Sequence, residues 1–355
     1  MRIAIIGGGL YGCYIAEKMS QLNTHVDLYE KNTEILKSAA TNNQSRLHHG
    51  FHYPRSKETI AQTNSGSKIF EQEFSDCIFF PEKNYYAVHK DSHTDLSTYL
   101  DVMNSFNLKF DHVDTNELGI FTNPSEIEGV INTSEGVIIL SRLERKLIKS
   151  LRDGKVNVKT NCDVQSIDPI SGRLNIFGAV SNSLAYDYIV NTTYTNPNLG
   201  LSNQKKFKVK YEIAGMVLLK NKELNNVCVT IMDGDFVSLY PRAKGFYTLS
   251  SVRHTPLKTF DNFDEFQLGV NDFVRSIDHR SYIDLIVRDA SQYLIPALLQ
   301  GIEEKMWIAP KVKILNDVGD NRVSSYIMNE KVISVMCGKI DAIPALYAEI
   351  ERAIF

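Results

Sequence analysis

Three glycines near the start of the chain carry the first chemical signal. Gly7, Gly9 and Gly12 fall in G-x-G-x-x-G spacing within Met1–Glu30. Before them, Arg2–Ile6 is a short apolar run that suits a buried parallel strand. After them, Cys13–Leu22 has helical spacing, with Ile15, Ala16, Met19 and Leu22 on one face. His25–Tyr29 reads as a second strand that ends at the acid Glu30. Gly7 permits the tight turn, Gly9 lets backbone approach a pyrophosphate, and Gly12 lets the helix lie close to the strand. The helix start offers N–H groups and a positive dipole end to phosphates. A carboxylate at Glu30 accepts hydrogen bonds from a ribose diol and repels a 2′-phosphate, which argues against NADP. The pattern predicts a dinucleotide site, including the flanking Leu10, Tyr11 and Lys31, and leaves NAD and FAD both open.

The second chemical stretch is Asn42–Ser56, NNQSRLHHGFHYPRS. Three histidines, two arginines and one glycine in fifteen residues are unusual for a core element. A segment lying along a bound cofactor would use that density. Asn43 and Ser45 can bond phosphate or ribitol oxygens, and Gly50 allows backbone close to a flat ring. A surface loop is the alternative.

These residues resemble FAD-dependent oxidoreductases of the D-amino-acid-oxidase, glycerol-3-phosphate-dehydrogenase and L-2-hydroxyglutarate-oxidase superfamily. The hydroxyglutarate-oxidase register matches Asn43, His48, Gly50 and Tyr53. The glycerol-3-phosphate-dehydrogenase register, Ser-Lys-Leu-x-His-Gly, is similar to Ser45, Arg46, Leu47, His49 and Gly50 instead. The two differ on whether His48 or His49 faces the flavin; the ungapped register favours His48. Further along, Glu135–Leu147 resembles the superfamily's Glu-Gly segment before a helix, and Val164 falls where the main chain meets adenine. Ile189–Tyr194 (IVNTTY) resembles Val-Val-Asn-Ala-Ala-Gly, with Thr192 inside it and Tyr194 where the glycine would be. Cys337–Asp341 (CGKID) is similar to the closing Gly-Gly-Lys-x-Thr loop, with Gly338 and Lys339 matching, Ile340 between, and Asp341 for Thr. There the resemblance implies a helix start and a lysine at the pyrimidine end of the flavin.

The fold implied is α/β: a discontinuous Rossmann-like FAD-binding domain plus a mixed or antiparallel-sheet substrate domain. Segments 1–80, 135–205 and 310–355 would form the first, and 81–134 and 206–309 the second. Periodicity predicts helices over Lys57–Phe74, Leu96–Phe106, Ser141–Leu151, Phe263–Ile277 and Ile283–Leu299, with Ser141 as a helix cap. It predicts strands over Tyr85–His89, Lys208–Leu219, Val227–Met232, Phe236–Arg242 and Phe246–Val252. Tyr240 and Arg242, two apart on one strand, point to one face. On a cavity wall they would seat an anion, because a guanidinium binds carboxylate through two parallel bonds. Arg55 and Tyr53 are further substrate-site candidates. A hydroxy acid would need a general base, with His48 or His52 available.

Composition narrows the rest. At 355 residues, 43% apolar and 23% charged, the chain is long enough for two domains. A net charge of -3 gives no electrostatic case for nucleic acid or an anionic membrane. Apolar runs are too short to span a bilayer, and the N-terminus lacks the pattern of a signal peptide. Five scattered cysteines without C-x-x-C favour reduced thiols in a cytoplasm and no metal. The reading is an FAD-dependent oxidoreductase acting beside an amine or hydroxyl of a small anionic substrate. Flavin-dependent sugar-nucleotide or monooxygenase chemistry, or an inactive FAD- or NAD-binding protein, are the alternatives. The electron acceptor and oligomeric state are not encoded in any motif.

Overall fold

The apolar run at Arg2–Ile6 becomes an inner strand of a six-stranded sheet. In this computed structural model, residues 1–37, 39, 41–177, 184–243, 245–315 and 321–355 are described. The sheet order is Ser325–Asn329, Val332–Met336, Tyr188–Asn191, Arg2–Ile6, His25–Tyr29, Asn157–Lys159. Its pairs are parallel except the Ser325–Asn329 edge, which returns antiparallel. Inner strands of such a sheet are covered on both faces, which is why Ile3–Ile6 and Val332–Met336 read as unbroken apolar runs. One face packs against helices Leu10–Ser20, Lys57–Phe74, Leu140–Asp153 and Ile343–Ile354. The other lies under the hairpin Asp163–Asp168 and Arg173–Phe177.

A second, nine-stranded sheet carries the rest. Its order is Pro256–Phe260, Val209–Lys220, Phe246–Ser251, Val237–Ala243, Cys228–Met232, Asn84–His89, Ile127–Thr133, Phe110–Val113, with Trp307–Ile314 also paired to Val209–Lys220. It is antiparallel except where Cys228–Met232 runs alongside Asn84–His89. Helices Phe263–Ser276 and His279–Ala290 pack on its largest apolar cluster, and Leu96–Ser105 packs on another. The strand Trp307–Ile314 joins this sheet across position 310, so residues 310–314 lie with the segment predicted for the substrate side.

Two short strands join the two layers. Arg46–Leu47 and Ile78–Phe79 flank Gly136–Ile138, all antiparallel. This small sheet holds the histidine-rich segment between the two large ones. Ser141 is not the cap of its helix: the cap position is Ile139, with no side-chain bond. The helix predicted over Ile283–Leu299 runs instead over His279–Ala290, and a separate 3-10 turn follows at Pro296–Leu299, with proline at its start where no N–H is needed. Lys244, the middle of the predicted hairpin turn, lies outside the described residues.

Candidate active site

The glycine turn has the geometry its spacing requires. Gly7 sits at φ +104, and a Cβ there would stand 2.8 Å from Thr192 O. A Cβ on Gly12 would stand 1.9 Å from Gly7 O. A Cβ on Gly9 would meet nothing within 4 Å, so the turn is open where a pyrophosphate would lie. Gly9 caps helix Leu10–Ser20 without a side-chain bond, leaving its first N–H groups to a ligand. Glu30 is buried and anchored: Gly8 N donates to Oε2 at 2.8 Å, and Asn32 N to Oε1 at 2.8 Å. Oε1 also accepts from Asn32 Nδ2 at 2.6 Å, so the oxygen that keeps a second lone pair is Oε2. Lys31 is exposed, and Val164 packs into the apolar layer below the sheet.

Thr192 lies beneath this turn, its hydroxyl donating to Ile6 O at 2.9 Å and Gly7 O at 3.0 Å. Two residues on, Tyr194 holds φ +61, a left-handed conformation that glycine adopts without strain. The backbone bend is therefore kept although the glycine is missing. The Tyr194 hydroxyl takes the Val312 N–H at 3.3 Å, tying the bend to the second sheet.

The segment Asn43–Tyr53 forms the wall of a buried chamber. Asn43 closes its own loop, with Oδ1 accepting from Ser45 N at 2.7 Å while Ser45 sits at φ +58. Ser45 Oγ is enclosed without a hydrogen-bond partner. Along the strand Arg46–Leu47, alternation sends Arg46 and His48 one way and Leu47 into the apolar core. His48 joins His52 and Tyr53 in a ring cluster, with centroids 5.6, 5.6 and 5.0 Å apart. His49 turns outward, where Nε2 pairs with Glu71 at 2.6 Å. The inward histidine is thus His48. Burial, then the cations Lys339 and Arg46 with neighbouring His52, hold His48 well below the usual imidazole range. Burial, then Arg46, Lys339, Arg322 and Lys311, do the same to His52. Both rings are neutral at physiological pH.

The C-terminal loop meets this chamber from the other side. Tyr11, in the first turn after the glycines, donates to Lys339 O at 2.6 Å and receives Gly338 N at 3.2 Å. Lys339 Nζ lies 4.9 Å above the Tyr53 ring. Ile340 starts a 3-10 turn, and Asp341 is fully buried with both carboxylate oxygens unpartnered. Burial pushes Asp341 up to about 8, so it is protonated at neutral pH.

The predicted substrate groups receive other partners. Tyr240 is fully buried, its hydroxyl taking Asn84 Nδ2 at 3.0 Å, and the Arg46 guanidinium lies 4.2 Å over its ring. Arg242 stacks on Trp307 at 3.8 Å and donates to Asn43 O. The strand face carrying both is covered by segment 43–46, so Tyr240 and Arg242 brace the chamber wall instead of lining an open cavity. Arg55 forks onto Asp233, at 2.6 and 3.1 Å. Arg46, assigned from sequence to the cofactor, is buried with all three guanidinium nitrogens unpartnered.

Three further residues line the chamber; of these Glu135 lies in a stretch already singled out from sequence, Glu135–Leu147, and Lys311 and Arg322 do not. Glu135 is fully buried and accepts from His49 N at 2.7 Å and from the Tyr86 hydroxyl. Lys311, on Trp307–Ile314, is pushed well below the usual ammonium range by burial and by Arg322, Lys313 and Lys339. Arg322 lies just before the strand Ser325–Asn329 and acts electrostatically on His52. Lys311 and Arg322 are remote in sequence from the histidines, and an isolated Lys or Arg has no local pattern; Glu135 had the Glu-Gly pattern but no signal that it would face His48.

The orphaned polar atoms of Ser45, His48 and Asp341, beyond the open pyrophosphate turn, fit a ligand longer than NAD's phosphates and ribose alone. They fit a cofactor with a ribitol chain and a flat polar ring. Among the described residues no group of side chains could hold a metal ion, and no helix is long and apolar enough to cross a membrane.

Comparison with known proteins agrees with that fit. Residues 2–310 match the DAO family, described as FAD dependent oxidoreductase. The FAD-dependent monooxygenase FPY4 of Fusarium mangiferae is 29% identical over 346 residues, covering 96% of this chain and 88% of that protein. Glycine oxidase from Geobacillus kaustophilus superposes with a TM-score of 0.76 at 12% identity, over 99% of this chain and 94% of that one. L-α-glycerophosphate oxidase from Mycoplasma pneumoniae, with FAD bound, gives a TM-score of 0.76 at 16% identity over 99% and 94%. At these identities the two structures speak to the fold alone.

Proposed function

The chain belongs to the DAO family of FAD-dependent oxidoreductases, and on that premise we propose that it oxidises a C–H bond beside a hydroxyl or amine of a small anionic substrate, an amino acid or 2-hydroxy acid. When bound, FAD supplies the acceptor for a hydride. The residues of this chain do the rest. For a hydroxy acid, His48 or His52 takes the hydroxyl proton as the C–O bond becomes C=O and the hydride leaves carbon. A neutral amine gives an iminium ion when its hydride leaves and needs no base. The enclosed ring cluster of His48, His52 and Tyr53 keeps water from the reacting carbon.

Cofactor contacts follow the same reading. Gly7, Gly9, Leu10, Tyr11 and Gly12 take the pyrophosphate, Glu30 and Lys31 the ribose, and Val164 the adenine. Thr192 supports the turn from below. Asn43, Ser45, Arg46, Leu47 and His48 lie along the ribitol and ring, and Gly338–Asp341 at the pyrimidine end.

The observation that carries the proposal is the enclosed ring cluster of His48, His52 and Tyr53, with Lys339 Nζ 4.9 Å over the Tyr53 ring and the buried Arg46 guanidinium lacking hydrogen-bond partners. Neutral bases beside cations suit proton removal from an anionic substrate. The test is anaerobic mixing of the purified yellow protein with amino acids, 2-hydroxy acids and neutral polyols. Bleaching of the flavin by an acid, with the oxo or imino acid as product, is expected. Bleaching by none of them would end the proposal.

Oxygen insertion is the second reading, favoured by the name of the FPY4 relative. It predicts no anaerobic bleaching by substrate and one atom of labelled oxygen in the product.

A further inference from the structure

Glu135 is a buried carboxylate held fast beside His48. Both its oxygens are anchored, one by the His49 main-chain N–H at 2.7 Å and the other by the Tyr86 hydroxyl. Tyr86 is itself fully buried, so the carboxylate has nowhere to turn. His48 Nδ1 is enclosed, has no hydrogen-bond partner, and stands 3.8 Å from Glu135 Oε2. That separation is too long for a hydrogen bond but close enough for a charge to set the tautomer. A carboxylate facing Nδ1 attracts an N–H there and repels a lone pair.

We propose that Glu135 is a positioning residue: it fixes neutral His48 as the Nδ1–H tautomer, which puts the imidazole lone pair on Nε2 for the substrate. The other groups around His48 are Lys339, His52, Arg46, His49 and Tyr53. The cations among them oppose a second proton on the ring. Among the described residues, Glu135 is the carboxylate within 4.0 Å of that ring. The His49 imidazole is spent on Glu71, while its main chain secures Glu135, so the adjacent histidines divide the work. The inference rests on the reading of His48 as the group that takes a hydroxyl proton.

Glu135→Gln is nearly isosteric and reverses the polarity that His48 faces. Its amide oxygen can accept from His49 N, which leaves the NH2 toward Tyr86 and His48. The experiment is a long-range 1H–15N correlation spectrum of the histidine-labelled holoenzyme at pH 7.5, a pH chosen as about one unit above the ordinary imidazole value. His48→Gln assigns the resonance. Wild type is expected to show His48 neutral and protonated at Nδ1. Glu135→Gln is expected to move the proton to Nε2 and to lower kcat for a hydroxy acid by about 10- to 100-fold. KM should change by less than about threefold, because substrate contacts are intact. A wild-type ring protonated at Nε2, or doubly protonated, would overturn the inference. So would an unchanged tautomer in Glu135→Gln. If that variant fails to fold, the wild-type spectrum still decides, because a ring carrying its proton at Nε2 overturns the inference without any variant. The spectrum needs no substrate. A Glu135-dependent tautomer in a protein bleached by nothing in the panel would sink the oxidation reading and leave the tautomer assignment standing.

Discussion

His48 and His49 are neighbours in sequence with opposite environments, and that contrast sets the pH behaviour. His48 and His52 are neutral in the folded protein at pH values where unfolded imidazoles charge. The unfolded state then binds more protons, so apoprotein stability should fall as pH drops below the ordinary imidazole value of about 6.5. Thermal melts of His48→Gln/His52→Gln should show a shallower acid slope than wild type; an equal slope would refute the assignment. Asp341 works in the opposite direction. Its carboxyl keeps, up to about 8, a proton that the unfolded chain releases near 4. Its contribution is therefore lost as pH rises through that window. Apoprotein Asp341→Asn should be more stable than wild type at pH 8 by at least about 1 kcal/mol, and by less at pH 5. Residue types were readable from sequence here: the histidine density marked the chamber, and Asp341 stood out against a resembling Thr. Partners were not readable. Nothing local to Arg55 indicates Asp233, and nothing local to His48 indicates Glu135.

At the level of elements, one contact sets the chamber's depth. Gly66, inside helix Lys57–Phe74, lies so close to the 3-10 turn Ile340–Ala342 that a Cβ would stand 2.2 Å from Asp341 O. Backbone on both sides cannot give way as a side-chain tip would. Gly66→Ala should cost about 1–3 kcal/mol in denaturant unfolding and weaken FAD retention on dialysis, despite alanine's better helix propensity. A neutral or stabilising result would show that the turn is free to shift. The elements were the most legible part of the chain. Lys57–Phe74 and five strands of the second sheet follow apolar periodicity almost to the residue, whereas Phe110–Val113, Ile127–Thr133 and Pro256–Phe260 do not stand out in it. What periodicity cannot report is what covers a face. Alternation put Tyr240 and Arg242 on one side of a strand, yet that side is sealed by Asn43–Arg46, which lies about 200 residues away in sequence.

Over the whole molecule, the two ends of the chain meet at Tyr11. Its hydroxyl joins the first helix to Lys339 O and Gly338 N, across more than 300 residues. Tyr11→Phe leaves that carbonyl without its partner, while Gly338 N keeps Ser324 Oγ at 3.0 Å, and should cost about 1–3 kcal/mol of stability. Equilibrium unfolding of apoprotein checks this, and an unchanged midpoint would mean Ser324 alone closes the loop. The pairing of both ends was legible because each carries backbone-driven motifs, glycines in one and a Gly-Lys turn in the other. The substrate side was not, since its walls are built from ordinary side chains brought together by the second sheet. In the proposed reaction a substrate carbon, not an external reductant, reduces the bound FAD. The direct measurement is the rate of anaerobic flavin bleaching by the best acid substrate with hydrogen or deuterium at the reacting carbon. Bleaching without oxygen or NAD(P)H is expected, at a rate several-fold slower with deuterium. A flavin that stays oxidised until NAD(P)H is added would contradict it.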